Sequence, residues 1–171
     1  MVELPTRIVI YGNSGSGKST MAQAVARELN APHLDLDTIA WSAPMVRRPV
    51  ADSIANIHAF VAAQAAWVIE GCYSDLIEAA LPFGTELRFL NPGIVSCVRN
   101  CRTRPWEAHK YESPEAQNRM LEALLTWVRD YETRDDEFSL ARHRAIFERF
   151  AGPKREFGDA AITAGRPHSM N

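Results

Sequence analysis

The run Gly12-Asn13-Ser14-Gly15-Ser16-Gly17-Lys18-Ser19 brings small residues, one lysine and hydroxyls into a single short stretch. Glycines let a backbone curl tightly enough for successive N–H groups to converge on an anion, and a helix that follows adds the partial charge of its N-terminus. The spacing G-x-x-x-x-G-K-S is that of a phosphate-binding P-loop. Lys18 is then expected to reach the β- and γ-phosphates of a nucleotide, while Ser19 offers its hydroxyl to Mg2+. The nucleotide-binding residues expected from this run are Gly12, Asn13, Ser14, Gly15, Ser16, Gly17, Lys18, Ser19 and Thr20, and the expected ligands are ATP and Mg2+.

Acidic residues recur where phosphoryl transfer would need them. Asp35 and Asp37 follow a short apolar run with one residue between them, so in extended chain both side chains point to the same side. We assign Asp35 to the metal with Ser19, and Asp37 to the acceptor as orienting group or base. Glu70 and Gly71 end another apolar run and are assigned to substrate, or to magnesium-bound water; Trp41, Arg47 and Arg48 are assigned to substrate too, the arginines suiting an anionic acceptor. Arg99, Arg102 and Arg104 lead into an irregular stretch that also carries Trp106, His109 and Lys110. Guanidinium groups on such a lid would balance transition-state charge and exclude water, so these three join Lys18 and Asp37 as the expected catalytic set, with Arg104 foremost. His33, His58 and His143 lie within element patterns and are read as structural or exposed.

These residues need a scaffold, and the hydrophobic pattern supplies one. Short β-branched or apolar runs at Arg7–Tyr11, His33–Leu36, Trp67–Ile69, Glu86–Leu90 and Lys154–Phe157 alternate with segments of helical spacing. Met21, Ala22, Val25, Ala26 and Leu29 give the first helix its face, and Asp52 is expected to cap the next. Ser74 is expected to cap a short helix ending near Pro82, and Ser113-Pro114 to open a longer one through Leu121, Leu124, Leu125, Val128 and Tyr131. A last helix carries Leu140, Ile146, Phe147 and Phe150. Strands separated by helices indicate an α/β fold with a parallel sheet covered on both faces. The expected organisation is one domain over residues 1–171, with a lid at about 103–117 and a loose tail from Gly165 to Asn171.

Composition narrows the function classes. The 19 Lys+Arg against 21 Asp+Glu leave no global field to attract nucleic acid or an anionic membrane, and no apolar run approaches the length of a membrane span. A cytoplasmic protein is expected, with Cys72, Cys97 and Cys101 as buried free thiols in a reducing compartment. Whether it is a monomer or a dimer stays open.

Taken together, the P-loop, Asp35-x-Asp37 with Trp41 after it, Trp67-Val68-Ile69-Glu70-Gly71-Cys72-Tyr73 and Phe89-Leu90-Asn91-Pro92 resemble a group of bacterial P-loop kinase-like proteins. The group is called topology modulation proteins and also labelled adenylate kinase-like or shikimate kinase-like, and the match extends to about Arg104. The resemblance implies the nucleoside-monophosphate-kinase type of fold: three layers, a five-stranded parallel sheet in the order 2-3-1-4-5, an acceptor region after strand two and an arginine lid. It is similar to shikimate kinases at Asp35 and Asp37, but Glu70-Gly71-Cys72 stands where those enzymes carry a triple glycine. The leading expectation is a kinase that moves the ATP γ-phosphate to a small molecule such as a nucleoside, nucleotide or sugar acid. The alternative is an ATP-dependent regulatory or binding module that hydrolyses ATP slowly.

Overall fold

The computed structural model describes residues 6–43 and 45–159, so the expected loose tail Gly165–Asn171 lies outside the described residues. Strand β1 (Arg7–Gly12) leads through the glycine run into helix α1 (Lys18–Glu28), then β2 (His33–Asp35) and the short helix α2 (Asp37–Ala40). A two-stranded antiparallel hairpin, β3 (Trp41–Ala43) and β4 (Val46–Arg47), precedes α3 (Val50–Ala63). The chain continues as β5 (Trp67–Gly71), α4 (Ser74–Ala80), β6 (Glu86–Leu90), α5 (Ile94–Arg102), α6 (Pro114–Arg129), α7 (Leu140–Arg149) and β7 (Lys154–Phe157).

The main sheet has five parallel strands ordered β2-β5-β1-β6-β7. Numbered among themselves these strands run 2-3-1-4-5, the order implied by the resemblance; the hairpin β3–β4 stands apart and was not foreseen. Alternation along β1 explains how both faces are covered. Val9 and Tyr11 face one side, where α3, α4 and α7 bring Ile57, Leu76, Ile77 and Ile146, while Ile8 and Ile10 face Ala22, Val25 and Ala26 of α1. A third cluster joins α5 to α6 through Cys97, Cys101, Leu125 and Val128. All three cysteines are buried free thiols, as expected, and burial pushes the thiols of Cys72 and Cys97 up to about 12.

Two element boundaries differ from the sequence reading. Helix α3 opens at Val50 with Pro49 as the flanking residue, so Asp52 lies in the first turn and is not the cap. Ser74 is the first residue of α4 instead of its cap, Tyr73 being the flanking residue, and the Ser74 N–H donates to the carbonyl of Glu137. Helix α6 opens as expected, with Pro114 in its first turn and the Ser113 hydroxyl capping it by accepting from the Ala116 N–H at 3.1 Å.

Buried polar groups tie the helices to the sheet. His143 is fully buried in α7, with Nε2 2.9 Å from the Cys72 carbonyl and Nδ1 2.8 Å from the Tyr131 hydroxyl. A carbonyl only accepts, so Nε2 carries the proton and Nδ1 accepts from Tyr131. Burial holds this imidazole down to about 4, which makes it a neutral structural residue.

Candidate functional site

The glycine run forms the turn between β1 and α1, at the carboxyl end of the central strand. Its shape is fixed by contacts a sequence pattern does not specify. The Ser16 N–H donates to the Asn13 carbonyl at 3.1 Å, and Lys18 Nζ donates to that same carbonyl at 3.3 Å, so the lysine folds back over its own loop. Asn13 is buried: its Oδ1 accepts from the Ser14 N–H at 2.8 Å and its Nδ2 donates to the Val128 carbonyl of α6 at 3.1 Å. Gly15 lies against α5 with φ +78°, and Asn100 Nδ2 donates to its carbonyl at 2.8 Å. Thr20 is exposed in the first turn of α1.

The acids gather beside this loop, though not by the alternation expected of an extended chain. The chain turns helical at Leu36, with φ −62° and ψ −23°, so Asp35 ends β2 while Asp37 starts α2. They are linked by the Asp37 N–H, which donates to Asp35 Oδ1 at 2.9 Å. Strand register sets Asp35 opposite Glu70 at the ends of β2 and β5. Glu70 is buried, and Ser19 Oγ donates to its Oε1 at 2.8 Å; His33 Nε2 is 3.7 Å from the same oxygen. The sequence reading gives Ser19 and Asp35 to metal and Glu70 to substrate or magnesium-bound water; the structure sets Glu70 directly against Ser19. Burial, then the neighbouring charges of Glu70 and Asp37, push Asp35 up to about 6.

Asp37 occupies a different setting. Burial alone would raise its carboxyl, but the Lys110 ammonium and the Tyr73 hydroxyl outweigh that and hold it below the usual carboxylate range. Tyr73 donates to Oδ1 at 2.5 Å, and Lys110 Nζ is 2.6 Å from Oδ2. The Trp41 indole N–H donates to the Tyr73 hydroxyl at 2.7 Å, so Trp41 is tied through Tyr73 to Asp37. The Arg47 guanidinium lies over the rings of Tyr73, at 4.7 Å, and Trp41, at 5.6 Å, and pairs with Asp75 at 3.3 Å. One of its nitrogens, Nη1, is buried without a hydrogen-bond partner, and so is Nε of Arg48, whose Nη2 donates to the Trp41 carbonyl at 3.4 Å. Gly71 packs beneath this corner on Leu36.

Among the three arginines, Arg104 extends toward the glycine run: its Nη2 donates to Ser14 Oγ at 3.4 Å and its Nη1 to Glu107 Oε2 at 3.1 Å. Arg99 turns to Ser96 at 3.2 Å and Asp159 at 3.6 Å, and Arg102 is exposed at the end of α5. Sequence reasoning passed over Tyr73, Glu107 and Lys110 as site residues. Tyr73 follows Glu70-Gly71-Cys72 and Lys110 stands in the irregular stretch after Arg104, but neither has spacing that signals contact with Asp37 across the fold.

The sequence profile of the ATPase family associated with various cellular activities (AAA) matches residues 8–69, the portion that carries the glycine run. Among curated proteins no sequence match is found. Similar solved structures include a gluconokinase from Sinorhizobium meliloti 1021, at 20% identity and a TM-score of 0.56, covering 96% of this chain and 85% of that one. A sugar kinase from Janibacter sp. HTCC2649 is similar at 14% identity and a TM-score of 0.50, covering 91% of this chain and 87% of that one. Likeness at such identities is a likeness of fold. Sheet order, the loop between β1 and α1 and these structural neighbours agree that the chain has a P-loop NTPase fold.

Proposed function

We propose that the protein is a phosphotransferase that moves the γ-phosphoryl group of ATP onto a hydroxyl of a small acceptor. The observation that supports this most is the convergence of a phosphate loop and a separately positioned carboxylate, Asp37, at one edge of the sheet, with Arg104 reaching from a covering segment to Ser14. In the reaction, the acceptor hydroxyl gives its proton to Asp37 as its oxygen attacks the γ-phosphorus. The bond to the β–γ bridging oxygen breaks, and ADP leaves with those electrons. Lys18 and Arg104 meet the charge on the phosphoryl oxygens, and the 103–113 segment acts as a lid that keeps water out.

The residues fit a magnesium ion. Ser19 and Glu70 are in contact, and Asp35 beside them is pushed up by burial and like charge, a crowding that a dication would relieve. Ser19, Asp35 and Glu70 are the residues that would hold the ion. Once bound, it would neutralise charge on the β- and γ-phosphates.

On the acceptor side, Trp41, Arg47 and Arg48 form a wall next to Asp37. Buried guanidinium nitrogens without partners favour an anionic acceptor, a sugar acid or a phosphorylated metabolite. The structural neighbours that are kinases, one a gluconokinase, support the same class. No helix among the described residues is long and apolar enough to cross a membrane, which suits a cytoplasmic enzyme.

The test is magnesium-dependent ADP release from ATP against pooled sugar acids, nucleosides, nucleoside monophosphates and polyols. Lys18→Ala is expected to abolish ATP binding, and Asp37→Asn to keep binding while losing transfer. If no pool raises turnover above basal hydrolysis while ATP still binds, the regulatory-module alternative takes its place.

A further inference from the structure

Asp37 has two oxygens, and each accepts from one donor. Oδ1 takes the hydroxyl of Tyr73, a buried residue held by the Trp41 indole and by edge contact with Phe138 at 5.2 Å. That contact belongs to the scaffold. Oδ2 takes the ammonium of Lys110, which belongs to the covering segment. A carboxylate that accepts a proton from a hydroxyl needs a lone pair directed at it; each oxygen keeps a second one, and Lys110, the partner on the covering segment, is the one whose departure opens Oδ2 fully to an incoming hydroxyl.

The segment that carries Lys110 is built to hold it there. The N–H groups of Lys110 and Tyr111 both donate to the Glu107 carbonyl, at 2.9 and 3.0 Å, and the Glu107 N–H donates to Gln117 Oε1 of α6 at 2.8 Å. Glu107 then divides its carboxylate. Oε1 lies 3.3 Å from Lys110, and Oε2 accepts from Arg104, whose other nitrogen touches Ser14. A continuous polar chain therefore runs from Asp37 through Lys110, Glu107 and Arg104 to the phosphate loop.

We infer that Lys110 makes the site choose its acceptor over water: it covers Asp37 Oδ2 until an acceptor hydroxyl takes that place, and the freed ammonium then turns to the transferring phosphoryl group. Water reaches Asp37 as readily as any hydroxyl but brings no further contacts with which to displace an ion pair. An acceptor held by the Arg47 wall does. Arrival of nucleotide phosphates gives Arg104 a stronger partner than Ser14, which loosens the same chain from its other end. Lys110 thereby suppresses the side reaction in which water gives its proton to Asp37, its oxygen bonds the γ-phosphorus, and ADP and phosphate are released.

This inference rests on the phosphotransferase reading, and its test needs no acceptor. Phosphate release from MgATP alone is measured for the wild type, Lys110→Met and Lys110→Gln, with Lys18→Ala as the blank and ATP affinity and melting temperature recorded for each. Both Lys110 variants are expected to hydrolyse ATP about fivefold faster than the wild type, the factor that corresponds to a half-exposed ion pair. Adding Asp37→Asn to Lys110→Met is expected to remove the gain. A lysine that only held the segment closed would also admit water on replacement, but that gain would persist when Asp37→Asn is added, and a gain that persists overturns the inference. Hydrolysis at or below the wild-type rate in both variants, or loss of ATP binding in both, overturns the inference. ATP binding that survives Lys18→Ala overturns the phosphotransferase reading itself, so the two failures are distinguishable.

Discussion

Replacing Gly15 by alanine adds a single methyl group at a position the loop pattern leaves free, yet the structure gives it a large cost. A Cβ on Gly15 would lie 2.3 Å from the Cys97 carbonyl oxygen and 2.8 Å from Cys101 Sγ. The oxygen is backbone within α5, so no rotamer change relieves the overlap; either the loop or the helix must move by most of an ångström. That movement would stretch the 2.8 Å hydrogen bond from Asn100 Nδ2 to the Gly15 carbonyl. The φ of +78° adds left-handed strain for any residue with a Cβ. Overpacking, strain and a weakened hydrogen bond together amount to about 3–5 kcal/mol. Gly93 supplies the internal control, since its φ is +93° but nothing lies within 4 Å of an added Cβ. Gly93→Ala should cost about 1–3 kcal/mol, all of it backbone strain, because φ +93° with ψ 157° is a conformation nearly confined to glycine. Urea unfolding of the two variants separates strain from overlap, and calorimetric titration with MgATP shows whether the displaced loop still cradles phosphate. Gly15→Ala is expected to bind ATP at least tenfold more weakly than Gly93→Ala. Equal stability and equal ATP affinity for the two would refute the claim that the loop takes its shape from α5.

Tyr73→Phe removes the hydroxyl between the Trp41 indole and Asp37 Oδ1, so acceptor-dependent transfer should fall about tenfold with ATP affinity unchanged; a parallel loss of ATP binding would show that Tyr73 supports the loop instead. His143 gives a pH prediction. The unfolded chain protonates this imidazole below about pH 6.5 and the folded chain only near pH 4, so stability is fully present above pH 6.5 and falls as pH drops through that window. The loss approaches about 3 kcal/mol at the acid end. Urea midpoints between pH 7 and pH 4 should slope less for His143→Gln, a weaker fold from the outset, and an unchanged slope would mean that other groups carry the acid response.

How much of this was legible in advance depended on how local the determining physics is. Gly12 through Ser19 could be read directly, because cradling a phosphate needs backbone freedom and a lysine at fixed spacing within one turn. The strands were equally plain, since both faces of a parallel sheet are buried and Ile8-Val9-Ile10 must be apolar throughout. The hairpin at Trp41–Arg47 escaped notice because each of its strands is too short to show a period. Asp35 and Asp37 were found for a reason that does not hold: the chain between them is not extended, and their closeness comes from a turn closed by a side-chain hydrogen bond.

The division of labour at the acids belongs to the tertiary structure alone. Pairing of β2 with β5 sets Glu70 beside Asp35, and α1 delivers Ser19 to Glu70, a contact across 51 positions that no spacing within one element encodes. Likewise Lys110 and Arg104 sit near one another in sequence, yet one settles on Asp37 and the other on Ser14 because Glu107 anchors both. By itself the sequence determined the phosphate loop, the alternation of strands and helices and the burial of the thiols, each a property of neighbours along the chain. Only the packed fold decided which carboxylate meets Ser19, which is held by Tyr73 and which cation covers it, because those contacts are made by side chains brought together by sheet pairing and helix packing.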